Sequence, residues 1–364
     1  RNIYCPYYPY IFLLIKKMVK PYIASKLISW QKQAGRHNLP WQKTNDAYQI
    51  WISEMMLQQT QVKTVIPYFN KFIQTFPNIN RLADAQEDEV MEHWSGLGYY
   101  RRAKFIMQSA KIVVEKYHSR FPMKVEDLMT LPGIGRSTAG AICALAFKNP
   151  APILDANVVR VFCRFYGIKE YAGVSTIKNK LWELAERNLP SKDISIYTQA
   201  LMDLGATICK VNSPSCKDCP INKKCESHKR NWIDHIPAKK PKKKIPTRDV
   251  YALVVEKGEY ILLEKRIRSS VWEGLWSLPE IHKDCQPQKW VKDFLGGGAY
   301  IGLRKGSTLA TFSHYKMRLF FEHIQIHKPI NKVINEKFKW VDKEEIKHIA
   351  LSLIHISEPT RRPK

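Results

Sequence analysis

Residues 131–147 read LPGIGRSTAGAICALAF, a proline and two glycines set directly against an Ala- and Leu-rich run that suits a helix. Gly133 and Gly135 supply backbone freedom where a tight turn sits, at an entropic cost. The first amides of a helix lack intrahelical partners and lie at the positive end of its dipole, and glycines let a phosphate approach them. Alone, the stretch fits an ordinary helix–turn–helix corner as well as an anion-binding hairpin.

The 364 residues leave room for two or three domains, each with its own core. A hydrophobic share of 45% with 10 Trp describes a globular chain. Lys and Arg outnumber Asp and Glu by 59 to 33, a formal charge of +26 that suits a polyanionic partner and salt-sensitive binding. No apolar run reaches the roughly 18 residues of a membrane span, so no membrane partner is expected. Residues 1–17 carry a short apolar stretch without a small-residue cleavage site and read as translated upstream sequence ahead of Met18. Residues 351–364 contain LSLIHISEPTR, which resembles a translated sequencing adapter; both ends are set aside.

Residues 18–234 read as a helical domain. AYQIWISEMMLQQTQV and YTQALMDLGATI each suit a helix, and EDEVMEHWSGLGYYRRAKFIMQSAKIVVEKY suits a helix, a glycine break and a longer helix. Residues 235–248, rich in Lys and Pro, form a linker. Residues 249–350 then switch to short strands in VYALVVEKGEYILLEKR, TLATFSHYKMRLFFEHIQIH and KFKWV, giving an α+β second domain.

Of the eight cysteines, Cys209, Cys216, Cys219 and Cys225 follow C-x6-C-x2-C-x5-C. No export signal favours disulfides, and four thiolates suit either zinc or a [4Fe–4S] cluster. A single close pair flanked by lone cysteines departs from the usual two-pair zinc pattern and leans toward iron. Lys210, Lys217, Lys223, Lys224, Lys229 and Arg230 stud the same segment, either as a phosphate contact surface or as a solvated face.

Two carboxylates stand in apolar settings. In WISEMMLQQT, Trp51, Glu54, Met55 and Gln58 fall on one helical face, so Glu54 is desolvated and its pKa should rise, as a proton donor requires. The plainer alternative is a Glu turned to solvent or paired with Arg. In LDANVVRV, Asp155 opens a helical pattern with Asn157 two residues on. Helix capping explains Asp155 alone, and a cap should hold it anionic, ready to stabilise a cation.

In order along the chain, SEMMLQQTQV, GLGYYRRA, LPGIGRSTAGAI, LDANVVRV and the four-cysteine loop resemble the helix–hairpin–helix DNA glycosylases, and within them the MutY-type adenine DNA glycosylases. The resemblance spans roughly residues 20–350. It implies an all-α helix–hairpin–helix domain with an iron–sulfur loop followed by an α+β Nudix-like domain. It implies a monofunctional base-excision-repair enzyme that removes adenine mispaired with 8-oxoguanine or guanine, and a [4Fe–4S] cluster on the four cysteines. Glu54 falls at the acid that protonates adenine N7, and Asp155 at the carboxylate that supports the oxocarbenium ion. Ser137 and Asn157 complete the catalytic set. Ser137 takes the place of the lysine with which endonuclease III relatives attack the sugar, and a hydroxyl forms no Schiff base. Gln58 and Tyr99 match residues that wedge into the duplex, while Gly133 and Gly135 lie in the phosphate-binding hairpin. Ala156 stands where many relatives carry Gly.

VWEGLWSLPE, residues 271–280, resembles the Nudix-like domain, but the acidic Nudix box is missing, which speaks against pyrophosphatase activity. Phe312, Ser313 and His314 match the loop that reads 8-oxoguanine. The implied partner is double-stranded DNA carrying 8-oxoguanine:adenine mispairs, met by a monomer in a bacterial cytoplasm at the nucleoid.

Overall fold

The computed structural model describes residues 22–240, 245–266, 274–295, 300–311, 315–326, 333–335, 337–349 and 351. They fall into two compact units, the first within Arg1–Ala85 and Phe105–Pro241, the second within Gln86–Lys104 and Lys242–Lys364.

The first unit is helical. Its elements include α1 (Tyr22–Ala34), α2 (Ala47–Leu57), α3 (Val62–Thr75) and α4 (Ile79–Ala83). After α5 (Glu87–Trp94), which belongs to the second unit, come α6 (Arg101–Tyr117), of the second unit as far as Lys104 and of the first from Phe105, α7 (Val125–Leu128) and α8 (Arg136–Ala146). Then follow α9 (Ala156–Tyr166), α10 (Ser175–Arg187), α11 (Ile194–Asp203) and α12 (Glu226–Lys229). Helix starts follow the side chains that satisfy unpaired amides: Asp46 accepts from the Tyr48 amide at 2.9 Å, and Asn78 from that of Arg81 at 3.0 Å. Helix α9 ends at Gly167, whose φ of 68° is the left-handed conformation of a helix stop. One core gathers Ile23 and Leu27 of α1, Phe162 of α9, Leu181 of α10 and Leu201 of α11.

Two helical stretches differ from expectation. AYQIWISEMMLQQTQV is broken, because α2 stops at Leu57 and α3 begins at Val62, with Gln59 at φ 57° between them. YTQALMDLGATI continues beyond α11 as a wider π turn over Leu204–Ile208. The glycine break in SGLGYY lies between α5 and α6 as expected.

The second unit holds a mixed sheet in the order β5-β6-β1-β2-β8-β7, with β3 on β2 and β4 on β1. Its central strand, β1 (Thr247–Lys257), starts ahead of the VYALVV run, runs parallel to β6 (Lys316–Ile326) and turns at Gly258 into antiparallel β2 (Tyr260–Lys265). The remaining strands are β3 (Trp276–Ser277), β4 (Glu280–Ile281), β5 (Tyr300–Thr311), β7 (Val333–Asn335) and β8 (Phe338–Asp342). Burial on both faces explains why β1 reads as an unbroken apolar run. Leu253 and Val255 pack with Trp290 of α13 (Pro287–Leu295), while Ala252 and Val254 pack with Met317 and Leu319. No helix among the described residues is long and apolar enough to cross a membrane.

Candidate active site

The hairpin and the LDANV segment are stitched together. The Leu154 amide donates to Ser137 Oγ of α8 at 2.9 Å, immediately before Asp155. One turn along α8, a side chain on Gly140 would come within 2.2 Å of the Pro152 carbonyl oxygen. Helix α8 therefore holds the segment bearing Asp155 at backbone-contact distance. Of the two hairpin glycines, Gly133 has a φ of 78° and leaves no room for a side chain beside Phe105 and Met55. Gly135 behaves differently. It caps α8 with an ordinary φ of −88° and faces open space, so its value is access to the α8 amides, not backbone freedom.

Asp155 caps α9, its Oδ1 accepting from the Val158 amide at 2.8 Å. Glu54 reaches the same space from α2, whose neighbouring Trp51 and Met55 are fully buried. Glu54, Gln58, Ser137, Asp155 and Asn157 line one cavity of about 210 Å³ together with Arg36, Trp41 and Gln199. Burial, and then the nearby Asp155 charge, push the Glu54 carboxyl up to about 8, as the apolar face predicts. The Asp155 carboxyl is also raised, by burial, against the expectation that capping would lower it. The Val158 and Asn157 amides and the Arg160 guanidinium act in the opposite direction without cancelling the desolvation. The two carboxyls differ in their surroundings: backbone amides and Arg160 act to lower that of Asp155, whereas the Asp155 charge adds to burial in raising that of Glu54. One cavity thus holds two carboxyl groups, both raised by burial.

Gln58 is the C-cap residue where α2 ends and lines the same cavity as Glu54; its amide nitrogen lies 3.5 Å from Met55 Sδ and 3.4 Å from the Gly133 carbonyl oxygen. Asn157 lines the cavity with its Oδ1 accepting from Arg160 at 2.8 Å. Tyr99 belongs to the second unit and is 52% exposed at a φ of 51°. Phe312, Ser313 and His314 lie outside the described residues, as do Val271, Trp272 and Glu273.

Sequence reading missed the opposite wall of the cavity. Asp203, fully buried on α11, accepts from Arg36 Nε at 2.9 Å, Gln31 Nε2 at 3.0 Å and Gln199 Nε2 at 2.9 Å. Arg36 and Gln199 thereby become fixed donors at the cavity wall. An acidic residue inside the apolar pattern YTQALMDLGATI is the same signal that marked Glu54, but Arg36 and Gln31 lie far from it in sequence.

Cys209, Cys216, Cys219 and Cys225 surround a second cavity walled by Val161, Phe165, Leu204 and Ile221. All four are free thiols. Arg164 of α9 lies 3.5 Å from Cys209 Sγ and donates to the Lys210 carbonyl at 2.6 Å; Arg160 donates to the Cys209 carbonyl at 2.7 Å. Among the described residues, no three His, Cys, Asp or Glu side chains close on a point that would hold a single ion. Four thiols lining one apolar cavity, with Arg164 beside Cys209, are the donor types an iron–sulfur cluster takes.

Residues 52–187 match the HhH-GPD superfamily base excision DNA repair proteins, and residues 250–355 match the NUDIX domain. An adenine DNA glycosylase of Buchnera aphidicola from Schizaphis graminum is 42% identical over 273 residues, covering 74% of this chain and 78% of its own length. Its counterpart from Acyrthosiphon pisum is 38% identical over 337 residues, covering 91% of this chain and 95% of its own length. Among solved structures, a thermostable thymine-DNA glycosylase is 29% identical with a TM-score of 0.53, covering 60% of this chain and 99% of its own. On this combination of a helical repair domain, a Nudix-like domain and relatives matched along most of their length, the chain belongs to the adenine DNA glycosylases, hydrolases of N-glycosyl bonds.

Proposed function

We propose that this protein removes adenine mispaired with 8-oxoguanine, or with guanine, from double-stranded DNA and leaves an abasic site with the backbone intact. The observation that carries the reading is one cavity lined by two buried carboxyls, Glu54, pushed up to about 8, and Asp155, which faces amide donors and Arg160 that favour its anion. Adenine inside a duplex is out of reach, so it flips into the cavity at a cost of a few kcal/mol. Glu54 donates its proton to N7, making adenine a better leaving group. Asp155 offsets the positive charge that grows on the sugar as the bond breaks. The pairing of acid and carboxylate across a departing glycosidic bond is the logic of glycoside hydrolysis applied to an N-glycoside. Water then adds to the sugar. Ser137 offers no amine for a Schiff base, which supports a monofunctional outcome.

The cysteines Cys209, Cys216, Cys219 and Cys225 would hold a [4Fe–4S] cluster, supplying a rigid anchor for the basic loop on the DNA backbone. The net charge of +26 supports a DNA partner, as does the likeness to DNA glycosylases. Phe312, Ser313 and His314 read 8-oxoguanine from the second domain, and the enzyme works as a monomer in the bacterial cytoplasm. Residues 18–234 and 249–350, joined by the linker at 235–248, are the two working domains.

The test is single-turnover adenine release from an 8-oxoguanine:adenine duplex, compared with guanine:adenine and fully paired duplexes. Release from the first above the second, and none from the third, is expected; preferential release of thymine or an oxidised pyrimidine overturns the reading.

A further inference from the structure

Between α5 and α6 the chain makes a tight loop through SGLGYY, with left-handed backbone at Gly96 (φ 88°), Gly98 (φ 76°) and Tyr99 (φ 51°). The glycines take this conformation freely, but Tyr99 does so only if its surroundings hold it there. The residue is nonetheless half exposed. Beneath it lies Arg102, only 5% exposed. The guanidinium sits 5.3 Å from the Trp94 ring centroid and 5.4 Å from that of Tyr99. It donates to the Gly98 carbonyl at 2.9 Å and to the Tyr99 carbonyl at 3.4 Å. The Trp94 indole donates to the same Gly98 carbonyl at 3.1 Å, and the Gly96 amide donates to the Tyr100 hydroxyl at 3.2 Å.

We infer that Arg102 is a positioning residue whose buried guanidinium holds Tyr99 in the exposed, left-handed conformation from which the ring enters the duplex. The inference rests on the glycosylase function proposed above. A planar cation stacked on two rings and forked to two successive carbonyls fixes both the face of the Tyr99 ring and the backbone beneath it. Burial lowers the guanidinium to about 10, which leaves it charged at neutral pH. A ring ordered before DNA arrives loses little further freedom on insertion, so this support acts on binding and base unstacking and not on the bond-breaking step.

The experiment is a double-mutant cycle with Arg102→Lys and Tyr99→Ala, read by duplex affinity and by fluorescence of 2-aminopurine placed beside 8-oxoguanine. Arg102→Lys keeps the charge and loses the planar fork. We expect it to weaken affinity about tenfold and to abolish the fluorescence rise that reports unstacking, with the release rate at saturating enzyme within about twofold of wild type. In the Tyr99→Ala background the same change should alter affinity by less than about twofold. If Arg102→Lys does not fold, Arg102→Gln, which retains a donor for the Gly98 carbonyl, carries the same cycle. Equal losses with and without the Tyr99 ring would overturn the inference. Failure of the wild-type protein to release adenine would instead overturn the function on which it rests.

Discussion

Glu54→Gln separates what the acid does for catalysis from what it costs the fold. An ordinary glutamic acid at 4.5 is protonated in only about one molecule in 300 at pH 7, whereas one held near 8 is protonated in about nine of ten. The substituted amide keeps the shape and can donate a hydrogen bond, but has no proton to give up. Adenine release should therefore fall roughly 10²–10⁴-fold while duplex affinity stays within a few-fold. Stability should move the other way. Because the folded pKa lies above the unfolded one, the folded state keeps the proton while the unfolded state loses it. Wild-type stability thus declines as pH rises from about 4.5 to about 8 and levels off beyond. At pH 7 the penalty is on the order of 3 kcal/mol, and the amide does not carry it. Thermal denaturation at several pH values should find Glu54→Gln more stable than wild type, by a margin that grows across this window. A variant that releases adenine within tenfold of wild type, or a stability difference that ignores pH, refutes the assignment of Glu54 as a buried acid.

Wild-type protein should give no borohydride-trapped adduct and no strand scission without added base. Ser137→Lys should introduce a trapped adduct while losing about 1–3 kcal/mol of stability, because the Leu154 amide forfeits its acceptor. Anaerobically purified protein should contain about four irons per chain, and Cys216→Ser should lower both iron content and DNA affinity; stoichiometric zinc in the wild type would reject the cluster. Ser313→Ala combined with His314→Ala should narrow the rate ratio of 8-oxoguanine:adenine over guanine:adenine without abolishing basal excision. An unchanged ratio would show that this loop does not read the lesion.

What the sequence could reveal was mostly local. Glu54 among Trp51, Met55 and Met56 announces a desolvated acid because neighbours on a helix are near in sequence. The α+β character of the second unit likewise shows in the alternation and length of its strands. The raised pKa of Asp155 is not legible in LDANV, where capping is visible but the burial by distant residues is not. The break after Leu57 also escaped, since LQQTQV contains neither Gly nor Pro and its left-handed residue is Gln59. Arg36, Gln31, Gln199 and Asp203 meet only after α1 and α11 pack together, so no spacing rule could assemble them. Arg102 was written plainly in GLGYYRRA, but of two adjacent arginines only the fold shows which is buried.

The bond from Leu154 to Ser137 and the close approach of Gly140 to Pro152 have a consequence for how the gene can vary. They lock the distance from the hairpin amides to Asp155 by a short cross-link, bypassing the covalent route through residues 147–151. That route is relieved of metric duty. Lys148 and Pro150, both exposed along it, mark a place where a few extra residues can be spliced in without disturbing the register between a gripped strand and the reacting sugar. Adding a single methyl to Gly140, by contrast, inserts a shim into that cross-link. The smallest change at the joint should therefore harm excision more than a larger insertion at the bend.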